Sequence, residues 1–513
     1  MSGALVVSRA RLLLRRSLVV AVLGLAVLGA SSASGARPLE LGFTGYTDEL
    51  YFDPEVRDLW LDRTLEAGAS TVVLSVNWAD IAPAERPSGF DPSNPGDPAY
   101  SWGSLDVGVR AAAAKGLRVM LLVTRAPRWA EGADRPRRDT PPGTWKPNPE
   151  DLGAFGAAIA ARYSGRFVDP AAPGAGALPQ VRLWELWAEP NLWVNLTPQF
   201  GEDGNRASPD HYRRMLAAFY AAVKEVDPAN TVLNGGLAPY GDPPGGLRMR
   251  PLAFFRDLLC LKDRRSLRPV KCAPLPMLDV LAHNPINLSG GPALSAVHPD
   301  DVSSADLGKV RRTLRAAERG KTIRPAVRHP LWATEFWWNS KPPRANTIGL
   351  QRHARWIEEA LYLFWKAGAS LAINLKIRDG GDPRAGVNGT GLYLANGDSK
   401  PALTAFRFPF VVDSRGKRGS LAWGKSPASG GLVIEARRSG GWRRIERINV
   451  EAGQVFTAKL ADRGKGKYRA RVAEETSLVW SQDNRSAQPF EKLAVASRRQ
   501  SARELRFSER PYR

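Results

Sequence analysis

The feature that most constrains the fold is an alternation of short apolar runs with longer amphipathic stretches between Leu39 and Ile377. Continuous apolar runs are typical of parallel strands that are covered on both faces. The predicted strands are 39–46, 71–78, 117–124, 181–187, 231–237, 278–283, 331–337 and 370–377. Because a segment with helical spacing follows each strand, eight strand–helix pairs arise. The pattern predicts an α/β fold, a (β/α)8 TIM barrel.

Beyond Pro409 the pattern changes to short alternating segments separated by turns rich in Gly and Ser. These segments predict a small C-terminal all-β, sandwich-like domain. They are 432–437, 442–449, 454–460 and 467–472. The predicted organisation is a signal peptide (1–36), a barrel (37–410), a β-sandwich-like module (411–481) and a polar, disordered tail (482–513).

The amino-terminal segment predicts export. Arginines at 9, 11, 15 and 16 precede an apolar stretch, 18–30, and then small residues. This is the order of charged, apolar and small residues in a secretory signal, and we expect cleavage between Ala30 and Ala36. An uncleaved anchor is the alternative, although the apolar stretch is shorter than the about 20 residues of a membrane span. The prediction is a secreted, extracellular protein without a stable membrane span after cleavage.

The sequence has two cysteines, Cys260 and Cys272, in a basic segment that reads as a loop. In an exported chain, two cysteines this close are expected to form a disulfide. Metal ligation is disfavoured because histidines at ligand spacing do not accompany them.

The formal net charge of +22 restricts the class of partner. A nucleic-acid-binding protein would join a basic stripe to a recognisable binding motif, and the sequence has no such motif. An anionic cell-wall polymer is a better candidate for a charged partner. The alternative is a well-solvated surface in an arginine-rich protein.

Two glutamates stand at the ends of predicted strands, each with tryptophans beside it. Glu189 follows the strand in the segment 181–193, and Pro190 ends that strand. Glu335 ends the strand in the segment 329–339. The carboxyl ends of barrel strands converge around one pocket, and a pair of carboxylates there suits retaining glycoside hydrolysis.

These segments resemble the clan A glycoside hydrolases, which carry Asn-Glu-Pro on strand 4 and a second Glu on strand 7. The resemblance spans about 39–409. It implies that Glu189 is the acid/base and Glu335 the nucleophile, that the substrate is a poly- or oligosaccharide, and that neither a cofactor nor a metal takes part.

The chain departs from the clan pattern at three supporting positions. Ala188 stands where the clan has the Asn that contacts the sugar 2-hydroxyl, Ile286 where it has a Tyr, and Val73 where it has an Arg. These departures favour an altered substrate or a reduced turnover. Glu185, on the same face of the strand as Glu189, is expected to support its neighbours rather than to react.

Several residues at strand ends are candidate contacts for a sugar. Tryptophans there predict subsite walls, because sugar rings pack their C–H faces on aromatic rings; ordinary packing is the alternative. His283 either lines the site or is a structural histidine, and Lys376 either contacts an acidic sugar or extends to solvent. The predicted substrate-binding residues are Trp78, Trp129, Trp187, Asn191, Trp193, His283, Trp337 and Lys376.

The sequence therefore predicts a secreted, retaining O-glycosyl hydrolase. The first alternative is a catalytically weakened barrel that binds a glycan or the cell wall, which the three departures favour and the two Glu segments oppose. A second alternative is a basic, wall-attached scaffold in which the β-module carries the function.

Overall fold

The computed structural model describes residues 31–32, 36–45, 53–136, 140–380, 386–462, 466–482 and 487. A barrel of parallel strands is followed by an antiparallel module. Most of the predicted signal peptide and of the predicted polar tail lies outside the described residues.

Eight parallel strands form the barrel. They are β1 (Glu40–Phe43), β2 (Thr71–Asn77), β3 (Arg118–Thr124), β4 (Leu183–Leu186), β5 (Thr231–Asn234), β6 (Leu281–His283), β7 (Leu331–Phe336) and β8 (Ala369–Asn374). Their order is β5-β4-β3-β2-β1-β8-β7-β6. Two bridges bring the ends of this order together. Leu233 of β5 pairs with Val280, just before β6, and Leu237, in the loop after β5, pairs with His283 of β6. The predicted barrel is confirmed, and each predicted strand overlaps an observed one.

A helix follows each strand. The helices are α1 (Pro54–Glu66), α2 (Gly103–Ala114), α3 (Pro149–Arg162), α4 (Ser208–Val226), α5 (Pro251–Leu258), α6 (Leu307–Gly320), α7 (Leu350–Ala367) and α8 (Pro401–Arg407). Capping residues set several of the ends. The Asp53 carboxylate accepts from two backbone N–H groups at the start of α1, and Asn148 does the same for α3. Gly368, with φ of 99°, ends α7 in the left-handed conformation that glycine adopts without strain.

The interior of the barrel is a packed apolar core. Inward-facing side chains from six of the strands and from the residue just before β6 fill it: Val73, Met120, Leu183, Leu233, Val280, Ala282, Leu371 and Ile373. Because this layer closes the barrel interior, the space for a ligand lies above it, at the carboxyl ends of the strands.

The C-terminal module contains two antiparallel sheets. Its longer strands are β9 (Phe410–Ser414), β10 (Ser420–Lys425), β11 (Gly430–Arg438), β12 (Gly441–Val450), β13 (Val455–Leu460) and β14 (Lys467–Val472). One sheet has the order β9-β10-β13, and the other pairs β12 with β11 and β11 with β14. The sequence prediction missed β9 and β10. Every residue of β10 is buried, so this strand lacks the polar–apolar alternation on which the prediction relied.

The module packs directly on α7 of the barrel. The Tyr362 hydroxyl donates to the Asp413 carboxylate at 2.5 Å. The rings of Tyr362 and Trp365 lie 5.5 and 5.9 Å from that of Trp423. The Trp480 indole N–H donates to the Val412 carbonyl, which ties the last strands of the module to β9. One continuous core therefore joins the two parts.

Cys260 and Cys272 form a disulfide, with their Cα atoms 6.0 Å apart. The bond closes a loop after α5 and stabilises the fold by about 3 kcal/mol in the chain-entropy model. Among the described helices, none combines the length and the hydropathy needed to cross a membrane.

Candidate active site

The turn after β4 aims Glu189 into the mouth of the barrel. Trp187 and Glu189 have φ angles of 69° and 40°, in the left-handed region that side chains other than glycine rarely adopt. Such strain persists only where surrounding contacts hold it, and it is concentrated at functional sites. Here the Glu189 N–H donates to the Gly236 carbonyl, and the Trp187 indole N–H donates to the Asn195 carbonyl at 2.7 Å.

A β-bulge places Glu335 in the same mouth. Along the pairing of β7 with β8, Ala333 faces Ala372 but Phe336 faces Asn374, so β7 contains one extra residue. A bulge breaks the alternation of side chains along a strand. Thr334 and Glu335 are therefore both within reach of the residues at the end of β4, although they are neighbours in sequence.

The two glutamates influence each other electrostatically. Burial, the charge of Glu335 and the charge of Glu185 raise the pKa of Glu189, and a hydrogen bond from Asn284 opposes these effects. Burial raises the pKa of Glu335, and the Trp337 indole N–H, which donates to its Oε1 at 2.9 Å, opposes the rise. Two carboxylates that share a site resist ionising together. Both glutamates therefore hold a proton more readily than ordinary carboxyl groups.

Hydrogen bonds extend from Glu189 across the mouth. The Asn284 Nδ2 donates to the Glu189 Oε1 at 3.1 Å, and the Thr334 hydroxyl donates to the Asn284 Oδ1 at 2.9 Å. The Gly236 N–H donates to the Glu185 Oε1 at 2.9 Å. The Glu189 carboxyl group is thus oriented by Asn284, which follows β6 and is held in turn by Thr334 of β7.

A cavity of about 180 Å³ opens beside Ala188, the residue before Glu189, at the carboxyl ends of β2, β3 and β4. Its lining is mostly polar and consists of Ser75, Leu122, Thr124, Arg125, Trp187, Ala188 and Asn195. Ala188 lines this space with a small side chain. The inward residue of β2 at this level is Ser75, whereas Val73 packs in the apolar layer below.

Comparison with solved structures returns several glycoside hydrolases of low sequence identity. Neither a protein-family model nor a curated protein sequence matches the chain. A family 39 glycoside hydrolase from Bacteroides cellulosilyticus WH2 is 15% identical, with a TM-score of 0.48 over 83% of this chain and 81% of that one. A GH39 enzyme from Xanthomonas axonopodis pv. citri is 15% identical, with a TM-score of 0.46 over 86% and 97%. A monomeric beta-xylosidase from Caulobacter crescentus CB15 is 15% identical, with a TM-score of 0.46 over 83% and 98%.

Of four tryptophans predicted to bind the sugar, two contact the cavity or Glu335 and two lie elsewhere. Trp187 lines the cavity although only 1% of it is exposed. Trp337 is half-buried and contacts Glu335 directly. Trp193 follows the Glu189 turn, where its backbone N–H donates to Leu247. Trp129 is half-buried, with its indole N–H on the Pro83 carbonyl. Trp187 and Trp337 are therefore the two that lie against the cavity and the glutamates.

Three other predicted residues are buried and are held by contacts within the protein. Trp78 stacks on Phe155 and is fully buried. The Asn191 amide bonds only to backbone groups, among them the carbonyls of Ala238 and Met249. His283 is fully buried, with its Nε2 3.0 Å from the carbonyl oxygen of Val302. These contacts favour structural roles, and we leave the three residues out of the proposed site.

Lys376 lies near a buried ion pair rather than alone at the rim. The Lys400 ammonium is 2.6 Å from the Asp379 carboxylate, and both side chains are almost fully buried. Burial raises the pKa of Asp379, which the charges of Lys400 and, more weakly, Lys376 oppose. Lys376 remains half-buried at the end of β8.

Sequence reasoning missed Asn284, Thr334 and Gly236 as parts of the site. Each stands within two residues of a predicted strand end or of Glu335, which was the available signal. Among the described residues, there is no group of three or more His, Cys, Asp or Glu side chains arranged to hold a metal ion.

Proposed function

We propose that the protein is a secreted glycoside hydrolase that cleaves an O-glycosidic bond in a poly- or oligosaccharide with retention of configuration. The observation that carries this proposal is the pairing of Glu189 and Glu335. Both stand at carboxyl ends of barrel strands, and burial and mutual repulsion raise the pKa of Glu189. An acid that keeps its proton near neutral pH, next to a carboxylate, is what glycoside cleavage requires.

The proposed mechanism is double displacement. Glu189 gives its proton to the leaving oxygen while Glu335 attacks the anomeric carbon, and a covalent glycosyl-enzyme forms. Glu189, now ionised, then takes a proton from a water molecule. That water attacks the anomeric carbon and releases Glu335. The Asn284 N–H suits the ionised form of Glu189, and the Trp337 N–H suits the ionised form of Glu335.

Covalent labelling tests the assignment of the nucleophile. We expect a 2-deoxy-2-fluoro glycoside with an activated leaving group to add one sugar mass to the intact protein, and peptide mapping to place it on Glu335. The fluorine slows hydrolysis of the glycosyl-enzyme, so the intermediate accumulates. A panel of sugars would also identify the preferred one. A label on another residue would contradict the assignment, and Glu335→Gln is the control that should remain unlabelled.

The pH dependence of kcat/KM should be bell-shaped and should lie above the ordinary range of carboxyl groups. Activity needs Glu335 ionised and Glu189 protonated, and the pKa of both is raised. The rate therefore falls at low pH as Glu335 gains a proton, and at high pH as Glu189 loses its proton. Initial rates on an activated aryl glycoside between about pH 4 and 10 measure both limbs. A maximum in the acidic range of ordinary carboxyl groups would contradict the assignment.

An acidic wall polysaccharide is the proposed partner of the β-module. The solvent face of its larger sheet is basic: Arg447 and Arg471 flank Val433, and Arg444 and Arg469 flank Glu435 on the neighbouring strands. The disulfide suits an oxidising, extracellular compartment. The repeated carboxylates of a wall polymer would complement this positive face. A module that only covered the barrel would not require a basic solvent face.

Reversing three charges on this face should release the protein from an acidic polysaccharide. We expect the triple variant Arg444→Glu, Arg447→Glu and Arg471→Glu to bind a uronic-acid polymer at least about tenfold more weakly, and binding by the natural chain to weaken as salt is added. Co-sedimentation with an insoluble polymer measures it. The matched control reverses three exposed arginines of the disulfide loop, at 264, 265 and 268. If both triple variants lost the same share of polysaccharide binding, the net charge of the protein, and not this face of the module, would explain the binding.

A further inference from the structure

The larger sheet of the module has a solvent side that offers more than charge. We call this side, on β11 and its neighbours β12 and β14, the outer face. The residues of β11 that alternate onto it are Gly431, Val433, Glu435 and Arg437. At a rise of 3.3–3.4 Å per residue, this row is roughly 20 Å long. The outer face therefore has room for an extended polymer rather than for a single ion.

A cavity of about 420 Å³ opens at the Gly431 end of the outer face. Small-molecule sites usually have volumes of about 300–1,000 Å³, so this cavity can hold one unit of a polymer. It is larger than the cavity of about 180 Å³ beside Ala188 in the barrel. The lining consists of Ser429, Gly430, Gly431, Asn449, Val450, Glu451 and Gln454.

The lining of this cavity suits hydroxyl groups. The Asn449 and Gln454 amides can donate and accept hydrogen bonds, and the Glu451 carboxylate can accept them. The Gln454 Oε1 accepts from the Glu451 N–H at 2.7 Å, and the Ser429 hydroxyl donates to the Glu451 carboxylate at 3.3 Å. The negative charge of Glu451 disfavours a carboxylate or a phosphate here. A sugar ring offers neutral hydroxyl groups that match this set of donors and acceptors.

Arg447 connects the cavity to the basic part of the outer face. A Cβ on Gly431 would lie 2.9 Å from the Arg447 Nη2 and 3.1 Å from its Nε. The guanidinium group therefore lies on the backbone of β11, over a residue that has no side chain. Arg471 lies on the other side of β11, opposite Val433, and both arginines are exposed. Two cations thus border the central strand next to the cavity.

An aromatic ring lies towards the opposite end of the outer face. Trp442 of β12 pairs with Arg437 of β11. The Arg469 Cζ lies 4.4 Å from the centre of the Trp442 ring. Because Trp442 and Arg469 belong to strands on opposite sides of β11, their side chains meet above it. Arg469 is 2.6 Å from the Glu435 carboxylate and only 24% of its side chain is exposed, so it gives the indole a fixed support. Trp442 is half-buried, and part of it faces solvent.

We propose that the outer face is a carbohydrate-binding cleft that recognises sugar rings as well as charge. Trp442 packs on the C–H face of one ring, and the cavity beside Gly431 binds the hydroxyl groups of another unit of the same chain. Arg447 and Arg471 pair with carboxylates between them. The occupant is a uronic-acid polysaccharide, because a polyphosphate would use the arginines but neither the ring nor the cavity. This inference rests on the proposed partner of the module.

Trp442→Ala tests the ring without changing the charge of the protein. The probes are polygalacturonate and inorganic polyphosphate, which is a polyanion without sugar rings. We expect the full-length variant to bind polygalacturonate about tenfold more weakly than the natural protein, and to bind polyphosphate equally well. Isothermal titration calorimetry measures both affinities. Trp442→Phe keeps an aromatic ring and should recover most of the affinity, and melting temperatures verify that the variants are folded.

Gly431→Leu tests the cavity, again without a change of charge. The added side chain would fill the floor of the cavity and displace the Arg447 guanidinium, which can move because it ends a flexible side chain. We expect most of the affinity for polygalacturonate to be lost. The matched control is Gly103→Leu at the start of α2, where an added Cβ meets no atom within 4 Å. This control should bind as the natural protein does, and equal losses in both variants would contradict the role of the cavity.

The outcomes for Trp442→Ala separate recognition of sugar from attraction of charge. Unchanged binding of polygalacturonate would overturn the proposal, and charge alone would then explain the binding. Equal losses for polygalacturonate and polyphosphate would also overturn it, because the ring would then only hold the arginines in place. A natural protein that did not bind polygalacturonate would refute both this inference and the proposed partner. These titrations do not depend on turnover, so a failure of the hydrolase mechanism would leave their result unchanged.

Discussion

Glu335→Ala should lower turnover by roughly 10⁴-fold or more, because the covalent intermediate loses its nucleophile. The variant should also change the remaining glutamate. The charge of Glu335 contributes to the raised pKa of Glu189, so Glu189 should ionise at lower pH once that charge is gone. Steady-state rates on an activated aryl glycoside, with added azide, measure the loss and its rescue. Azide can enter from the face that Glu335 leaves open, and the product should have the inverted configuration.

The matched control is Glu358→Gln, which removes a buried glutamate from α7 and should leave turnover and the pH profile unchanged. Undiminished turnover in Glu335→Ala would contradict the proposed mechanism. A natural protein that binds a glycan in the barrel mouth without turning over any sugar would instead support the binding alternative, which the open cavity beside Ala188 favours.

Gly235→Ala should prevent folding. A Cβ at this position would lie 1.3 Å from the Trp187 carbonyl oxygen and 2.9 Å from that of Leu186. Ordinary overpacking costs about 1–3 kcal/mol, and here the obstacle is the backbone at the end of β4 and the start of the following turn, which cannot rotate away as a side chain can. We therefore expect a loss of free energy of unfolding of at least about 3 kcal/mol, with little soluble protein. Yield and chemical denaturation measure it.

Gly153→Ala is the control for this substitution. Gly153 lies inside α3, and the nearest atom to an added Cβ is 3.5 Å away. Alanine is the better helix former by up to about 1 kcal/mol, so this variant should be as stable as the natural chain or more so. If Gly235→Ala folded with an unchanged free energy of unfolding, the close approach of Gly235 to the Trp187 carbonyl would be wrong.

The barrel could be predicted because its signal is local. Each strand is a continuous apolar run, and turn or capping residues such as Asp53, Asn148 and Gly368 mark where helices begin and end. The module was harder. Strands β11 to β14 alternate and were predicted, but β10 is buried on both sides and gives no alternation to detect.

In the candidate site, the sequence marks the two carboxylates and two neighbouring tryptophans, Trp187 and Trp337. Glu189 and Glu335 stand at strand ends that the pattern marks, whereas the contacts between them depend on spatial neighbours. The bulge at Thr334 and Glu335 is visible only in the pairing of β7 with β8. The partnership of Asn284 with Glu189 joins residues 95 positions apart.

The contact between α7 and the module has a consequence for how such proteins can evolve. Trp423 of the module packs on the rings of Tyr362 and Trp365. Asp413 of the module accepts a hydrogen bond from the Tyr362 hydroxyl. Removing the module would leave this apolar surface of α7 in water, immediately after the strand that carries Glu335. Recombination that exchanges the module therefore has to carry a matching α7, and the two parts should be inherited together rather than shuffled as independent cassettes.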